Sequence, residues 1–266
     1  MRFLKGGSRV TGIDAVILAG STNEGRLREC SPEAFEAMVE IARRPMVSYV
    51  FDVLNASRFI NRIVVAGPFD EMNGLFGERD NVLIVPGGET AIDSLINALD
   101  VLKTKGNVLV ATCDIPLLTE NSVADFVKRC SRRQADVYYP IIPKEVIERM
   151  CPGVKRTYVK FKDGVFTGGN LFLINPAVVK DRAERAKAFV QSRKSPFNLA
   201  KLVGWTFLVR FLLHLATLSE TEKTVSQIFE MKGAVVISPF PEVGIDVDKP
   251  SDLALVREKI SQKMQV

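Results

Sequence analysis

Acidic residues that could bind a metal ion occur at two places in the sequence. Asp114 directly follows an apolar run, Val108–Thr112, that predicts a buried strand. Asp246 and Asp248 alternate with apolar residues, so in an extended chain their side chains point to the same side. Carboxylates combined with substrate phosphates are ligands that suit Mg²⁺. The pattern predicts that Asp114 and Asp248 hold one Mg²⁺; the alternatives are that Asp114 caps a turn and Asp248 caps the last helix.

A loop of small residues follows the first predicted strand. The segment 18–27 has the sequence LAGSTNEGRL. At the carboxyl edge of a parallel sheet such a loop lets backbone N–H groups approach phosphate oxygens, and Arg26 adds positive charge. The alternative is an ordinary strand-to-helix connection, because the segment matches neither G-x-G-x-x-G nor a P-loop.

The composition excludes several kinds of chemistry. The chain of 266 residues contains one histidine, His214, which rules out a histidine-based triad and a two-histidine zinc site. Its four cysteines form no C-x-x-C pair, and we expect reduced thiols in a cytoplasmic protein. The net charge of +5 favours anionic small ligands, but it is too diffuse to predict nucleic-acid binding.

No segment has the pattern of a signal peptide or of a membrane-spanning helix. Residues 1–12 lack the long apolar core of a signal peptide. The most apolar stretch, Leu199–Leu218, is interrupted by Lys201, Arg210 and His214, whereas a spanning helix needs about 20 nearly uncharged residues.

Strands and helices are predicted to alternate along most of the chain. The predicted strands are Ile13–Ala19, Ile60–Ala66, Val82–Val85, Val108–Thr112, Val137–Ile142, Thr157–Lys162, Leu171–Ile174 and Val235–Ser238. The predicted helices are Pro45–Ser57, Thr90–Lys103, Thr119–Cys130, Pro176–Gln191, Leu199–Met231 and Pro250–Lys263. This order predicts an α/β fold with a doubly wound, mostly parallel, Rossmann-like sheet. We expect a single domain over residues 1–266, with a helical insertion near 176–232.

The order of these segments resembles the MobA-like nucleotidyltransferases, within the wider group of sugar-phosphate and cofactor nucleotidyltransferases. That family opens with a strand, L-A-G-G or L-A-A-G, and a Gly/Arg loop, which Val16–Gly20 and Arg26 match. Its metal aspartate, in a strand-D-x-P-L pattern, falls on Asp114, and its late D-x-D-x-P-x-D-L segment falls on Asp246–Leu253. The resemblance covers roughly residues 12–180 and 233–262.

The resemblance implies a Mg²⁺-dependent nucleotidyltransferase and most of its site residues. An acceptor phosphate or hydroxyl would attack the α-phosphorus of an NTP, and pyrophosphate would leave. The implied catalytic residues are Arg26, Asp114 and Asp248, of which the two aspartates are the metal ligands with Asp246 as second choice. The implied nucleotide-binding residues are Leu18, Ala19, Gly20, Ser21, Gly25, Arg26, Gly88 and Thr90. The implied acceptor-binding residues are Gly169 and Asn170.

Two segments are expected to contact the substrates. Gly87–Thr90 occupies the family's base-recognition position and looks most like the cytidylyltransferase version, which slightly favours CTP, although the arginine usual there is absent. Outside the family pattern, the basic run 155–160 is KRTYVK, and we expect its Arg156 to bind an anionic acceptor. The alternative for this run is a solvated edge strand protected by its charge.

One position departs from the family. The lysine that neutralises the triphosphate aligns with Glu36, and a carboxylate repels a triphosphate. Either a neighbouring arginine supplies the charge or triphosphate binding is impaired. The neighbouring arginines are Arg26, Arg28, Arg43 and Arg44.

The helical insertion leaves further alternatives open. Leu199–Leu218 is apolar almost all round, which is typical of a helix buried in its own domain or in a homo-oligomer interface. Its polar stripe consists of Thr206, Arg210, His214 and Thr217. A lid over a lipid-like acceptor and attachment to a membrane surface are the functional alternatives.

Two other functions of the whole protein stay open. Glu36 and the apolar insertion motivate a second hypothesis, a non-catalytic nucleotide-binding or assembly module. A third hypothesis is a glycosyltransferase of similar topology, but the L-A-G sequence after the first strand argues against it.

Overall fold

The computed structural model describes residues 12–192 and 203–264. The strands are β1 (Ile13–Leu18), β2 (Glu40–Ile41), β3 (Arg44–Pro45), β4 (Ile60–Gly67), β5 (Val82–Pro86), β6 (Val108–Thr112), β7 (Val137–Pro143), β8 (Val159–Phe161), β9 (Gly164–Gly168), β10 (Leu171–Ile174) and β11 (Gly233–Ile237). The helices are α1 (Met46–Ala56), α2 (Phe69–Phe76), α3 (Ala91–Leu102), α4 (Glu120–Cys130), α5 (Lys144–Met150), α6 (Pro176–Asp181), α7 (Ala183–Ser192), α8 (Trp205–Leu212), α9 (Leu218–Phe229) and α10 (Pro250–Met264).

Nine of the strands form one mixed sheet. Its order is β5-β4-β1-β6-β10-β7-β9-β8, and β11 also pairs with β7. The neighbours β5, β4, β1 and β6 are all parallel, whereas β10 runs antiparallel to β6 and to β7. Strand β9 likewise runs antiparallel to β7 and to β8. The predicted α/β fold with a largely parallel centre is therefore confirmed, and β9 and β10 are the strands that make the sheet mixed.

Alternating side chains of β1 build the core on both faces of the sheet. Ala15 and Ile17 lie in the same buried cluster as Phe51 of α1, on one face. Val16 lies in a different cluster with Leu99 of α3, on the other face. Because apolar side chains leave β1 in both directions, helices cover both faces of the sheet, as a doubly wound fold requires.

The topology brings separate parts of the chain to one edge of the sheet. In the parallel pair of β1 and β6, Leu18 lies opposite Thr112, so both strands end at the same level. Cys113 N–H donates to the carbonyl of Leu18 at 3.0 Å, and Val247 N–H donates to the carbonyl of Asp114 at 2.9 Å. The loop after β1, the turn after β6 and the segment before α10 therefore meet at the carboxyl edge, where open α/β sheets bind ligands.

The predicted single helix Leu199–Met231 is wrong. The structure contains two helices there, α8 and α9, while residues 199–202 lie outside the described residues. The chain breaks because His214 has a left-handed φ of 60° and because Thr217 with Glu220 forms a capping box that begins α9. In α8 Trp205 is 59% exposed, so the apolar face of this helix is not buried in the core.

The insertion lies between β10 and β11 in the chain order. Its helices are α6, α7, α8 and α9. Within the part of the chain that the structure describes, no helix combines the length and the apolar character needed to cross a membrane.

Candidate active site

A cavity of about 510 Å³ opens at the carboxyl edge of the sheet, between the loop after β1 and the start of α3. The predicted site residues that line it are Leu18, Gly20, Ser21, Gly88, Thr90 and Asp114. Among the described residues on its wall, Glu36, Glu89 and Asp114 are acidic and none is basic. We call this space the acidic cavity.

The N-terminus of α3 fixes one wall of the acidic cavity. The hydroxyl of Thr90 accepts the N–H of Asp93 at 3.1 Å, and the Asp93 carboxylate accepts the N–H of Thr90 at 3.2 Å, which is a capping box. Gly88 N–H donates to the Ser94 hydroxyl at 2.9 Å. A Cβ on Gly88 would lie 2.3 Å from the Cβ of Asp93, so this close approach requires glycine.

The loop after β1 is held by its own hydrogen bonds. Glu36 N–H donates to the carbonyl of Ser21 at 3.0 Å, and the buried side-chain amide of Asn23 donates to two loop carbonyls at 3.0 and 3.2 Å. Of the loop residues predicted for the site, Ser21 lines the acidic cavity, whereas Ala19 is fully buried and Gly25 precedes a short 3-10 turn. The hydrogen bonds hold Ser21 and Glu36 close together on this wall.

Arg26 lies outside the acidic cavity. Its side chain is 69% exposed, and its guanidinium is 3.9 Å from the Glu29 carboxylate. Together with Lys155 and Lys249 it lines a second cavity of about 450 Å³, near the start of α10, which we call the basic cavity. The predicted triphosphate arginine thus lines a different cavity from the predicted base-binding residues Gly88 and Thr90.

The other arginines near Glu36 also point elsewhere. Arg28 donates to loop carbonyls at 2.7 and 3.0 Å, and Arg44 forms an ion pair with Asp52 at 2.6 Å. Arg43 is exposed in a turn with a left-handed φ of 64°. In the described structure, none of these arginines lines the acidic cavity.

Three carboxylates predicted for metal binding converge. One oxygen from each of Asp114, Asp246 and Asp248 lies within 4.8 Å of the others. Asp114 extends from the end of β6, where the Thr112 hydroxyl donates to its carboxylate. Asp246 and Asp248 come from the opposite side, at a separation of more than 130 residues in the sequence.

Arg156 lies behind the two later aspartates and is almost fully buried. Its guanidinium donates to the carbonyl of Gly244 at 2.9 and 3.2 Å and to the carbonyl of Asp246 at 3.0 Å. It also pairs with the carboxylates of Asp246 and, at 3.7 Å, of Asp252. Arg156 therefore binds protein groups and positions the segment that carries Asp246 and Asp248.

The carboxylates repel one another in this partly buried setting. Burial, together with the charges of Asp114 and Asp248, raises the pKa of Glu36 from 4.5 to about 7. Burial also raises the pKa of Asp114 from 3.8 to about 6, although the hydrogen bond from Thr112 opposes the rise. A cation bound between these carboxylates would lower the pKa values of both Glu36 and Asp114.

The predicted acceptor residues Gly169 and Asn170 lie between β9 and β10, next to the end of β6, after which Asp114 follows. Thr112 N–H donates to the carbonyl of Asn170 at 3.2 Å, and Asn170 N–H donates to the carbonyl of Val243 at 2.9 Å. Gly169 is buried, and its N–H donates to the carbonyl of Pro140 at 3.0 Å. Neither Gly169 nor Asn170 is among the residues that line the acidic cavity.

Sequence reasoning missed several residues of the acidic cavity. Ser94 follows Thr90 by four residues, so helical spacing places both on one face of α3 and could have identified it. Glu89 is adjacent to two predicted residues. The position of Glu36 opposite Asp114 has no local signal, because it depends on how the loop after β1 folds back.

Comparison with known sequences identifies the family. The pattern of the MobA-like NTP transferase domain matches residues 15–194. The chain belongs to this family. The match includes the loop after β1, the Gly88–Thr90 wall and Asp114, and it confirms both the resemblance and the class of enzyme, a nucleotidyltransferase.

Relatives of this MobA-like NTP transferase include cytidylyltransferases. A 2-C-methyl-D-erythritol 4-phosphate cytidylyltransferase of Streptomyces coelicolor is 26% identical over 253 residues, which cover 90% of this chain and 83% of that protein.

Solved structures show the same fold. A hypothetical transferase from Thermus thermophilus is 36% identical, with a TM-score of 0.78 over 91% of this chain and 99% of that one. The 2-C-methyl-D-erythritol 4-phosphate cytidylyltransferase of Francisella tularensis is 15% identical, with a TM-score of 0.56 over 93% of this chain and all of that one (100%). This second likeness concerns the fold alone.

Proposed function

We propose that this enzyme transfers a cytidylyl group from CTP to a phosphorylated small-molecule acceptor, with Mg²⁺ as its cofactor. The observation that carries the proposal is the convergence of Asp114, Asp246 and Asp248 at the carboxyl edge of the sheet, where Asp114 also lines the acidic cavity. The choice of CTP is supported by the cytidylyltransferase relatives and by the Gly87–Thr90 loop.

The reaction is a substitution at phosphorus. An oxygen of the acceptor phosphate attacks the α-phosphorus of CTP, the bond from this phosphorus to the bridging oxygen of the β-phosphate breaks, and pyrophosphate leaves. Such a transfer depends on positioning and on charge neutralisation rather than on a covalent enzyme intermediate. Gly88 and Thr90 on their rigid wall would face the base, and Gly20 and Ser21 would approach the phosphates.

The residues present fit a magnesium ion. They offer only oxygen donors, which Mg²⁺ prefers, and burial together with neighbouring carboxylates raises the pKa values of Glu36 and Asp114, so a bound cation would stabilise their charged forms. Since Arg156 already pairs with Asp246, we assign the metal to Asp114 and Asp248. Bound there, Mg²⁺ would neutralise charge on the phosphate oxygens.

We assign the acceptor-binding residues from their positions in the fold. Asn170 directly precedes β10, next to the end of β6, and its side chain would face the acceptor, while Gly169 lets the chain pass close to its neighbours. Arg156 would act on the acceptor only through the aspartate segment that it holds.

The proposal is tested by a pyrophosphate-release assay with purified full-length protein. CTP, UTP, GTP, ATP and dTTP are each offered with a panel of phosphorylated polyols and sugars, including 2-C-methyl-D-erythritol 4-phosphate. We expect release with CTP, and Asp114→Asn should lower the rate at least about 100-fold. Asp80→Asn, in an exposed turn, is the matched control and should keep full activity. Equal rates for Asp114→Asn and the wild type would exclude the proposed site.

A second candidate function is a nucleotide-binding or assembly module without turnover. It is favoured by Glu36 on the wall of the acidic cavity and by the exposed apolar side chains at the end of α8, where Leu212 and the following Leu213 are each 62% exposed. This candidate predicts that CTP binds and changes the oligomeric state in analytical ultracentrifugation, with no pyrophosphate released from any acceptor.

A further inference from the structure

The insertion between β10 and β11 packs along α3, the helix whose start forms one wall of the acidic cavity. Lys187 of α7 lies 2.7 Å from the carboxylate of Asp93, and Lys180 of α6 lies 2.5 Å from that of Asp100. Seven residues are almost two helical turns, so the two aspartates share one face of α3. The earlier lysine meets the later aspartate, and the insertion therefore runs along this face in the opposite direction to α3.

Asp93 belongs to the capping box that shapes the wall of the acidic cavity. One oxygen of its carboxylate accepts the N–H and the hydroxyl of Thr90, at 3.2 and 2.7 Å, and the other oxygen is the one that Lys187 contacts. The carbonyl of Thr90 accepts the Ser94 hydroxyl at 3.1 Å, and this hydroxyl accepts the N–H of Gly88. A continuous set of polar contacts thus joins Lys187 to Gly88 and Thr90, which line the acidic cavity.

The contact between Lys187 and Asp93 is well defined. The ammonium of Lys187 also binds the carboxylate of Glu184, one turn earlier on α7, at 2.8 Å. Hydrogen bonds from Lys187 and Thr90 hold the pKa of Asp93 below its ordinary value of 3.8, so this carboxylate is charged at neutral pH. Among the described residues, Lys187 is the one cation within ion-pair distance of Asp93.

We propose that Lys187 is a positioning residue for nucleotide binding, which acts through Asp93 to hold Gly88 and Thr90 in the arrangement that receives the base. Loss of its ammonium leaves one oxygen of Asp93 without an ionic partner, so the carboxylate can turn away from Thr90. The inference rests on the proposed function for the identity of the nucleotide, but the effect on the wall itself does not. It gives the insertion a part in nucleotide binding.

The second ion pair offers a control for mere docking of the insertion. Asp100 lies about 10 Å further along α3 than Asp93 and takes no part in the capping box. Lys180→Met and Lys187→Met each remove one ion pair between the insertion and α3, and only Lys187→Met removes the contact with the cap. Both pairs are partly exposed, so we expect both variants to fold, with similar urea unfolding curves.

The first test measures amide hydrogen exchange by NMR in the full-length protein without ligands. The amides of Gly88, Thr90 and Asp93 report on the wall, because each donates to a side chain of the capped turn. Lys187→Met should speed their exchange about three-fold, and Lys187→Arg should restore the rate of the wild type. Lys180→Met should leave these amides unchanged. Unchanged exchange in Lys187→Met, or an equal increase in Lys180→Met, would overturn the inference.

The second test measures the binding of CTP in Mg²⁺ by isothermal titration calorimetry. Lys187→Met should raise the dissociation constant for CTP about three-fold, while Lys180→Met and Lys187→Arg should bind CTP like the wild type. The affinity for Mg²⁺ alone should stay the same in all three variants, since Asp114 and Asp248 lie outside the cap.

The two tests separate this inference from the proposed function. If the wild type does not bind CTP, the proposed function fails, and the exchange rates still decide the role of Lys187. If the wild type binds CTP and Lys187→Met binds it equally tightly, the inference is overturned and the proposed function stands.

Discussion

The two cavities differ in the sign of the charge on their walls. The acidic cavity carries Glu36, Glu89 and Asp114, while the basic cavity carries Arg26, Lys155 and Lys249. An anion such as a phosphate can enter the acidic cavity only with a cation, whereas the basic cavity attracts anions directly.

This difference explains why a glutamate can stand at the position of the family's lysine. Glu36 adds negative charge beside Asp114, which strengthens the dependence on a cation in one cavity. The basic side chains of Arg26, Lys155 and Lys249 line the basic cavity and not this one.

The largest effect is expected from the two aspartates of the segment 246–252. Asp248→Asn should weaken Mg²⁺ binding more than about ten-fold, because it removes a proposed ligand, with little change in the free energy of unfolding. Asp246→Asn should instead destabilise the protein by about 2 kcal/mol, since it removes the nearer carboxylate partner of the buried Arg156 guanidinium and leaves only Asp252, at 3.7 Å. Mg²⁺ titration and urea unfolding of both variants check these two expectations. They would be contradicted if Asp248→Asn mainly lowered the stability and Asp246→Asn mainly weakened Mg²⁺ binding.

Reversal of the charge at Glu36 should make the acidic cavity more like the basic cavity in its affinity for anions. Glu36→Lys places a cation beside Asp114, so CTP should bind about ten-fold more tightly than to the wild type when Mg²⁺ is absent. Glu36→Gln removes the charge without reversing it and should show an intermediate gain. Calorimetric titrations in EDTA measure both. If neither variant gains affinity, Glu36 does not govern the charge of the acidic cavity.

The smallest expected effect concerns the pH dependence of stability without metal. The pKa of Glu36 is about 7 in the folded state against 4.5 ordinarily, so between these values the folded protein holds more protons than the unfolded chain. Its stability therefore falls as the pH rises through this window, and the loss is complete above pH 7. Glu36→Gln should be about 1 kcal/mol more stable than the wild type at pH 8, a value reduced by solvent screening, and equally stable near pH 4.

Urea unfolding in EDTA at the two pH values checks this expectation. Addition of Mg²⁺ at pH 8 should stabilise the wild type more than Asp114→Asn. An advantage of Glu36→Gln that is the same at both pH values would show that packing, and not charge, causes it.

The sequence predicted the parts of the site that depend on local pattern. Asp114 after a buried strand, the alternation of Asp246 with Asp248, and the start of a helix at Thr90 all follow from neighbouring residues, and the structure brings the three aspartates together. The parallel centre of the sheet follows from the alternation of strands and helices.

The remaining features depend on contacts between distant parts of the chain. Arg156 was predicted to bind the acceptor, but its partners lie about 90 residues further along, where no local pattern indicates them. Arg26 is predicted to bind the triphosphate, and the structure places it on the wall of the basic cavity, apart from Gly88 and Thr90. Neither position can be read from spacing, because each depends on how distant parts of the chain pack.

The measurement that tests the central claim most directly is the affinity for CTP with and without Mg²⁺, in the wild type and in Asp114→Asn. The account predicts that the wild type binds CTP at least about ten-fold more tightly with Mg²⁺ than in EDTA, and that Asp114→Asn loses this difference. Equal affinity of the wild type in Mg²⁺ and in EDTA, or an unchanged Mg²⁺ effect in Asp114→Asn, would contradict a metal-dependent site at Asp114.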